Sequence, residues 1–571
     1  MGTLRKSQAS KNGINPKLLV VCAIIAPCSS GVFAGDLTAR AGVEVEYVSQ
    51  TIKPQNDDEI DVNNQIATPY AAMVYQAKKL NAEARASLES VRRQLDDATV
   101  TKDYTSYQVR TRYQIVQNKL VLSANGSQSF RAPDSQTYLT NDFLLNAETL
   151  IKTESRDASL SLNLPANDYI GITSSFGVDR IRSSSVNETN AQGLGNSDRE
   201  SGSVRITSGK ALQPINYELS ASYSDIDRRD QRDFLSELAS FKVNTQLYSG
   251  FALTFLGSYE NNQTNQDNTA LDALRTYYSL GAGITWSKSQ NRFIEIAINE
   301  YRTKAALETQ DDERDQFISA SVNWQFSDRT RFTGSYSRRF FGESANVNFS
   351  HSLRTWRNSI RYNETVTAAS RLNQTLVPSV FVCDAGSIDL SDCNLPTGLE
   401  PELEEGQTLI PGFTPVFDFS DDITISKTLN YSSSLQRRRT RLILSLSNSE
   451  NEFVERQQIN DTSSLQLSAI FTISPRSSLS LRTQASKTTI ENIVDDSEDG
   501  NDTLETTSEG FNRTSTLSFN RKLTRRLDAI VSYTYTKRTG NLQTQGNFGG
   551  IDGPFDDRRI SASIKYTFTS R

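Results

Sequence analysis

One pattern recurs from residue 35 to the end of the chain: short runs in which apolar and polar residues strictly alternate. The last run shows it most plainly, with Ile560, Ala562, Ile564, Tyr566 and Phe568 set between Ser561, Ser563, Lys565 and Thr567. Successive side chains of a strand point to opposite faces, so each run makes a strand with one dry face and one wet face. A soluble sandwich turns the dry face inward, whereas an outer-membrane barrel turns it outward to lipid. The order of the links chooses between them. Tight links (165–168, 248–250, 287–290, 327–330, 436–439, 474–477, 522–525) alternate with long ones (182–201, 260–275, 366–422, 491–510, 538–556). Brief turns at one end and extended loops at the other are how outer-membrane barrels are built. Tandem sandwiches or a solenoid should instead repeat a motif at a fixed period, and no such repeat is found. The expectation is an all-β chain: one large antiparallel up-and-down barrel over residues 35–571, of about 24 strands. An even count places both ends of the barrel at the periplasmic, short-turn side.

The charges mark the wet face. In 37–48, Leu37, Ala39, Ala41, Val43, Val45 and Tyr47 alternate with a set that holds Arg40, Glu44 and Glu46. An Arg at a lipid-facing midplane position costs about 2–4 kcal/mol, so the charged set faces the lumen. The same argument assigns Glu83, Arg85, Arg110 and Arg112 to the lumen. In the last third it assigns Thr514, Thr516, Ser518 and Asn520, a wall of hydroxyls and amides. Residues 67–93 fit both a helical face (Leu80, Ala84, Leu88, Val91, Leu95) and a strict alternation, and the alternating segment that follows favours a hairpin.

Residues 1–34 read as a secretory signal: basic Arg5, Lys6, Lys11 and Lys17, an apolar core 18–26, and small residues up to a cleavage site after Ala34. The core is too short to span a bilayer as a helix. Only 36% of the chain is apolar, which excludes a helical membrane protein but suits a barrel with a polar lumen. The formal charge is −6, and since the first 34 residues carry four bases and no acid, the remainder stands at −10. Nucleic acid is therefore not an expected partner. His351 is the only histidine, and Cys383 and Cys393 are the only cysteines after residue 34. Ser-His-Asp, Cys-His and zinc-type sites are therefore nearly excluded, and no cofactor or metal-site residue is singled out. The two cysteines lie within 366–422 and, in an oxidising compartment, are expected to pair. That loop either folds into the pore as a constriction or plug, or stands on the surface as a stapled loop. Long loops also gather acids, as at Asp57-Asp58-Glu59 and Asp311-Asp312-Glu313; these either bind divalent cations among lipid phosphates or simply keep the loops solvated.

One region is distinctive. Ser335-Tyr336-Ser337-Arg338-Arg339-Phe340-Phe341-Gly342 is followed by Asn348-Phe349-Ser350-His351-Ser352-Leu353-Arg354 and by Arg361-Tyr362-Asn363-Glu364-Thr365. It resembles the outer-membrane proteins associated with PEP-CTERM and exosortase systems, in which one strand ends in Arg-Arg-Phe-Phe-Gly and the next returns through a His. The resemblance implies a barrel linked to exopolysaccharide biosynthesis and brings no catalytic residue with it. Paired guanidiniums beside paired rings suit sugars and polymer acids, but on residues alone they fit better an aromatic girdle with Arg on lipid phosphate. His351, in phase with Val347 and Phe349, reads as an interfacial structural residue. The functional expectation is an outer-membrane conduit for exopolysaccharide, with a non-conducting structural or polymer-binding barrel as the alternative and an enzyme least supported. Expected partners are outer-membrane lipids, the polymer with periplasmic export components, and the barrel assembly machinery, to which the aromatic strand ending at Phe568 would be presented.

Overall fold

The computed structural model describes residues 35–54, 58–95, 98–131, 144, 150–185, 196–212, 214–228, 233–264, 276–289, 291–304, 313–339, 342–367, 373–384, 407–418, 424–453, 457–496, 501–540 and 554–570. The signal segment and its cleavage after Ala34 lie outside these residues.

Among the described residues twenty-six strands run from β1 (Gly35–Pro54) to β26 (Phe555–Ser570). In chain order they continue as β2 (Ile60–Ala77), β3 (Leu80–Leu95), β4 (Ala98–Val116), β5 (Leu120–Arg131), β6 (Ile151–Leu164), β7 (Ile170–Ser185), β8 (Ser197–Ser208) and β9 (Ile215–Arg228). Next come β10 (Phe234–Tyr248), β11 (Phe251–Thr264), β12 (Thr276–Ser289), β13 (Arg292–Lys304), β14 (Glu313–Ser327), β15 (Thr330–Arg339), β16 (Gly342–Ser352) and β17 (Trp356–Thr367). The last group is β18 (Asn373–Asp384), β19 (Gln407–Asp418), β20 (Thr424–Gln436), β21 (Thr440–Phe453), β22 (Gln458–Ser474), β23 (Ser477–Asp496), β24 (Asn501–Lys522) and β25 (Leu527–Gly540). Twenty-four of them form one antiparallel sheet, and β1 pairs with both β2 and β26, which closes it. Only β18 and β19 stand apart, as a hairpin lying against β20, β21 and β22. Residues 67–93 are the β2–β3 hairpin, turning at Lys78-Lys79.

The exposed face of the wall is apolar. Val45, Phe176, Leu280, Ile284, Ile296, Ile298, Ile318, Ile560 and Ile564 all show a third or more of their surface. Trp286 packs on Trp324 at 5.6 Å near the short-turn end, while Tyr259 and Tyr278 pair across the wall nearer the long loops. A closed sheet with an apolar outer belt between aromatic rows pairs its backbone groups strand to strand within the belt, which is the condition for spanning lipid with strands. The molecule is an outer-membrane β-barrel. Strands about 4.8 Å apart and tilted by roughly 40° enclose, if the section is round, a ring roughly 45 Å across.

Two expectations about loops need correction. The segment 491–510 is largely strand, because β23 and β24 stay paired as far as Asp496↔Asn501. Above the membrane nothing forbids charges on a paired strand, so a hairpin rich in acids continues where sequence suggests a loop. The lumen is also not uniformly polar. Val48, Ile66, Val91 and Tyr104, in phase with the lumen-facing charges, form a buried cluster with Leu144 and Leu150. Arg93 Nη1 donates to the Leu144 carbonyl at 3.1 Å. Part of the β5–β6 connection is thus laid on the inner wall, and burying apolar side chains there removes them from water as effectively as lipid does.

Candidate functional site

The β15–β16 hairpin leaves the wall. Pairing of β14 with β15 stops at Ala320↔Tyr336, although β14 runs on to Glu313 against β13. Pairing of β16 with β17 starts only at Asn346↔Asn363, although β17 runs on to Thr367 against β20. Between these points β15 and β16 pair with each other alone, up to Arg339↔Gly342. Residues 337–339 and 342–345 are therefore a two-stranded arm. At its tip Gly342 has φ of +117°, a conformation in which a Cβ is strained even though the space around it is open.

The arm bends into the barrel. Arg339 Nε and Nη2 donate to Glu260 Oε2 and Oε1 at 3.2 and 2.5 Å. Glu260 sits on β11, four strands from β15, roughly 19 Å along the wall at 4.8 Å per strand. An arginine side chain cannot span that, so the backbone itself has crossed the inner face. The Arg338 guanidinium lies 4.3 Å from the centre of the Tyr301 ring on β13, and the Tyr277 hydroxyl on β12 donates to the Arg338 carbonyl at 2.8 Å. Tyr277 and Tyr301 stack at 5.8 Å and, like Glu260, are almost wholly buried, with 2%, 2% and 5% exposure. A forked, charge-assisted pair, a cation over a ring and a backbone hydrogen bond thus hold one short arm across the inner wall.

Below the arm, Lys242 on β10 reaches Glu295 on β13 at 2.6 Å. Glu295 also accepts from Thr285 at 2.8 Å, and Thr285 and Thr254 share a 2.6 Å hydrogen bond. The pair crosses two intervening strands; inward-facing Gly283 on β12 lies close to its neighbour Ala297, where a Cβ would come 2.5 Å from the Ala297 Cβ. From β17 to β26 the inner wall changes character. Hydroxyls pair strand to strand, as in Ser359–Ser432 (2.6 Å), Ser447–Ser464 (2.6 Å), Thr462–Thr488 (3.3 Å), Thr514–Thr536 (3.2 Å) and Ser532–Ser561 (2.6 Å). Among them Asn430 and Asn512 are buried, each with an amide oxygen that has no protein donor.

The residues singled out from sequence fall into three places. Glu44 and Glu46 on β1, Glu83 and Arg85 on β3, and Arg110 and Arg112 on β4 share one face with the hydroxyl wall; Glu83 is registered with Arg110, and Glu44 with Lys565. This patch lies about halfway round the barrel from the arm. Arg338, Arg339 and Gly342 are in the arm itself, while Phe340 and Phe341 lie outside the described residues. His351 is at the other end of β16, on the outward face, with Nδ1 2.8 Å from Thr330 Oγ1, and Arg354 is exposed in the turn that follows. The structure therefore separates the two halves of the motif by the length of a strand. Cys383 ends β18 next to Asp384; Cys393, and with it the pairing, lies outside the described residues.

Arg338 and Arg339 therefore lie over the inner wall and not at the outer rim. Glu260, Tyr277, Tyr301, Lys242 and Glu295 were not singled out from sequence. The signal was present as two acids, two tyrosines and two glycines (Gly281, Gly283) on the polar phase of three successive strands. Replacing Gly342 by alanine should loosen the arm without unfolding the wall. Proteolysis of the folded barrel should then cut near Phe340-Phe341 several-fold faster, at unchanged heat-modifiable gel mobility.

No protein-family model matches the chain, and no curated relative matches it. Similar solved structures include the FrpB iron transporter from Neisseria meningitidis (11% identity, 93% of this chain and 82% of that one, TM-score 0.43). The siderophore receptor PirA from Acinetobacter baumannii aligns at 9% identity over 92% and 80%, TM-score 0.39. A mutant ferric enterobactin receptor, PfeA, from Pseudomonas aeruginosa aligns at 10% identity over 93% and 80%, TM-score 0.38. Likeness at this level carries no statement about what the present chain transports.

Proposed function

We propose that this outer-membrane barrel is a gated conduit through which an exopolysaccharide leaves the cell, serving a surface-polymer system of the kind that the PEP-CTERM and exosortase resemblance implies. The observation that carries the reading is the β15–β16 arm, which brings two arginines of the distinctive motif inside a closed barrel and latches them there. Such an arm narrows the pore on the side where Glu260, Tyr277 and Tyr301 lie. The facing wall, rich in hydroxyls and amides, supports the choice of cargo. Sugar hydroxyls can exchange hydrogen bonds with Ser, Thr and Asn side chains and with water at little net free energy, so a chain of sugars slides instead of sticking. Arg338, half-buried in the arm, offers a charge to a passing acidic sugar.

A second reading, a non-conducting barrel that retains polymer at the surface, draws on the apolar cluster around Leu144 and Leu150, which fills part of the lumen. The deciding experiment is deletion of the gene with measurement of surface and intracellular polysaccharide. Export predicts loss of polymer from the surface together with its accumulation, or that of its precursors, inside. Normal surface polymer would remove the export reading, and polymer released to the medium without internal build-up would favour retention.

A further inference from the structure

The outer face of the barrel carries a groove of about 890 Å3 that crosses β8 to β14. Its lining alternates in phase with the lipid belt: Ala221, Ala239, Phe241, Gly257, Tyr278 and Leu280. The dent lies over Ala221 and Ala239, which are registered with each other on β9 and β10, while Gly257 on β11 is registered with Phe241. The Phe241 ring lies so close over Gly257 that a Cβ there would sit 2.1 Å from it. A small-residue floor with aromatic walls suits an acyl chain.

The end of the groove nearer the long loops is charged. Tyr278, Arg302 and Arg314 form one outward row across β12, β13 and β14, and Glu300 is one step below and paired to Arg314. Glu237, on the same face of β10, takes a hydrogen bond from Asn261. Two guanidiniums therefore meet an apolar groove just where strands pass from hydrocarbon to headgroups on the outer side. A second feature lies beside them. Because the β15–β16 arm turns inward, β14 above Ala320 has no strand on its other side among the described residues. A strand edge at the lipid boundary needs polar partners for its N–H and C=O groups, and acyl chains supply none. Both features ask for a headgroup with anionic oxygens and many hydroxyls, attached to acyl chains.

We propose that this groove is a binding site for the phosphorylated, acylated glycolipid of the outer leaflet, with acyl chain on Ala221 and Ala239 beside the Phe241 ring and phosphate at Arg302 and Arg314. The site stands whether or not the pore conducts. A bidentate guanidinium–phosphate contact gives it selectivity over neutral lipid. The bend of the arm would then be sealed on the lipid side by sugar hydroxyls at the exposed β14 edge.

The test uses the full barrel purified in mild detergent from membranes that contain lipopolysaccharide, analysed by native mass spectrometry after repeated detergent exchange. Wild type should retain one glycolipid per chain. The R302Q/R314Q double variant, and separately A239F, which fills the groove and leaves both arginines, should each retain at least about tenfold less. Heat-modifiable mobility should be normal in both. Rebinding to delipidated barrel should succeed with bisphosphorylated lipid A, weaken with its dephosphorylated form, and be undisturbed by phosphatidylglycerol. Equal retention by wild type and both variants would overturn the site. So would equal rebinding of phosphatidylglycerol, or a dimer that buries the groove in place of lipid.

Discussion

Replacing Arg339 by alanine raises the conductance of the purified barrel in a planar bilayer, because the β15–β16 arm loses its forked hold on Glu260. Removing one partner of a buried ion pair costs about 3–5 kcal/mol. Here the Glu260 side chain is 6% exposed but that of Arg339 is 30% exposed, so solvent screening lowers the figure to about 2 kcal/mol. At 1.4 kcal/mol per factor of ten, the ratio of released to latched arm rises roughly thirtyfold. Glu260→Gln should act in the same direction, more weakly, since a neutral amide can still accept one hydrogen bond. The double variant should add little to Arg339→Ala, because each change breaks the same contact. Conductance unchanged in all three, at normal gel mobility, would show that the arm does not obstruct the current path.

The second large effect concerns the belt. Ile296 lies on the outward face of β13 and is 55% exposed; it is registered with Ile284 on β12 and Ala320 on β14, well inside the aromatic rows. Ile296→Arg places a guanidinium near the midplane and should destabilise the folded barrel by about 2–4 kcal/mol. Ser335→Arg, on the opposite face and registered with Ser321, enters the lumen and should change stability by less than about 0.5 kcal/mol. Denaturant titration from liposomes separates the two. Equal effects would mean that the assignment of faces is wrong.

How far the sequence could be read depends on which physical constraint acts. Lipid enforces the outer face at every position, so a period-two pattern such as Ile560 to Phe568 identifies both the strand and its orientation without tertiary information. Closure through antiparallel pairs alone makes strand number even, and the alternation of short and long links reports the approximate count. None of these steps needs a contact between distant residues.

Inside the barrel the constraint is weaker. Water, another strand, or a segment folded back on the wall can each satisfy a polar or apolar side chain there, so composition does not say which one does. Arg338-Arg339-Phe340-Phe341 would look the same in an aromatic rim as in an inward arm. What decides is that pairing with β14 ends at Tyr336 and pairing with β17 at Asn346, while Glu260, Tyr277 and Tyr301 wait on strands much earlier in the chain. Likewise Val48, Ile66, Val91 and Tyr104 break the polar phase of their strands, and only the placement of Leu144 and Leu150 against them shows why. The sequence by itself determined an antiparallel outer-membrane barrel, its wet and dry faces and its two ends, because the bilayer imposes those locally. The tertiary structure alone decided what enters the lumen, because that depends on contacts between residues far apart in the chain, whose energies no local pattern records.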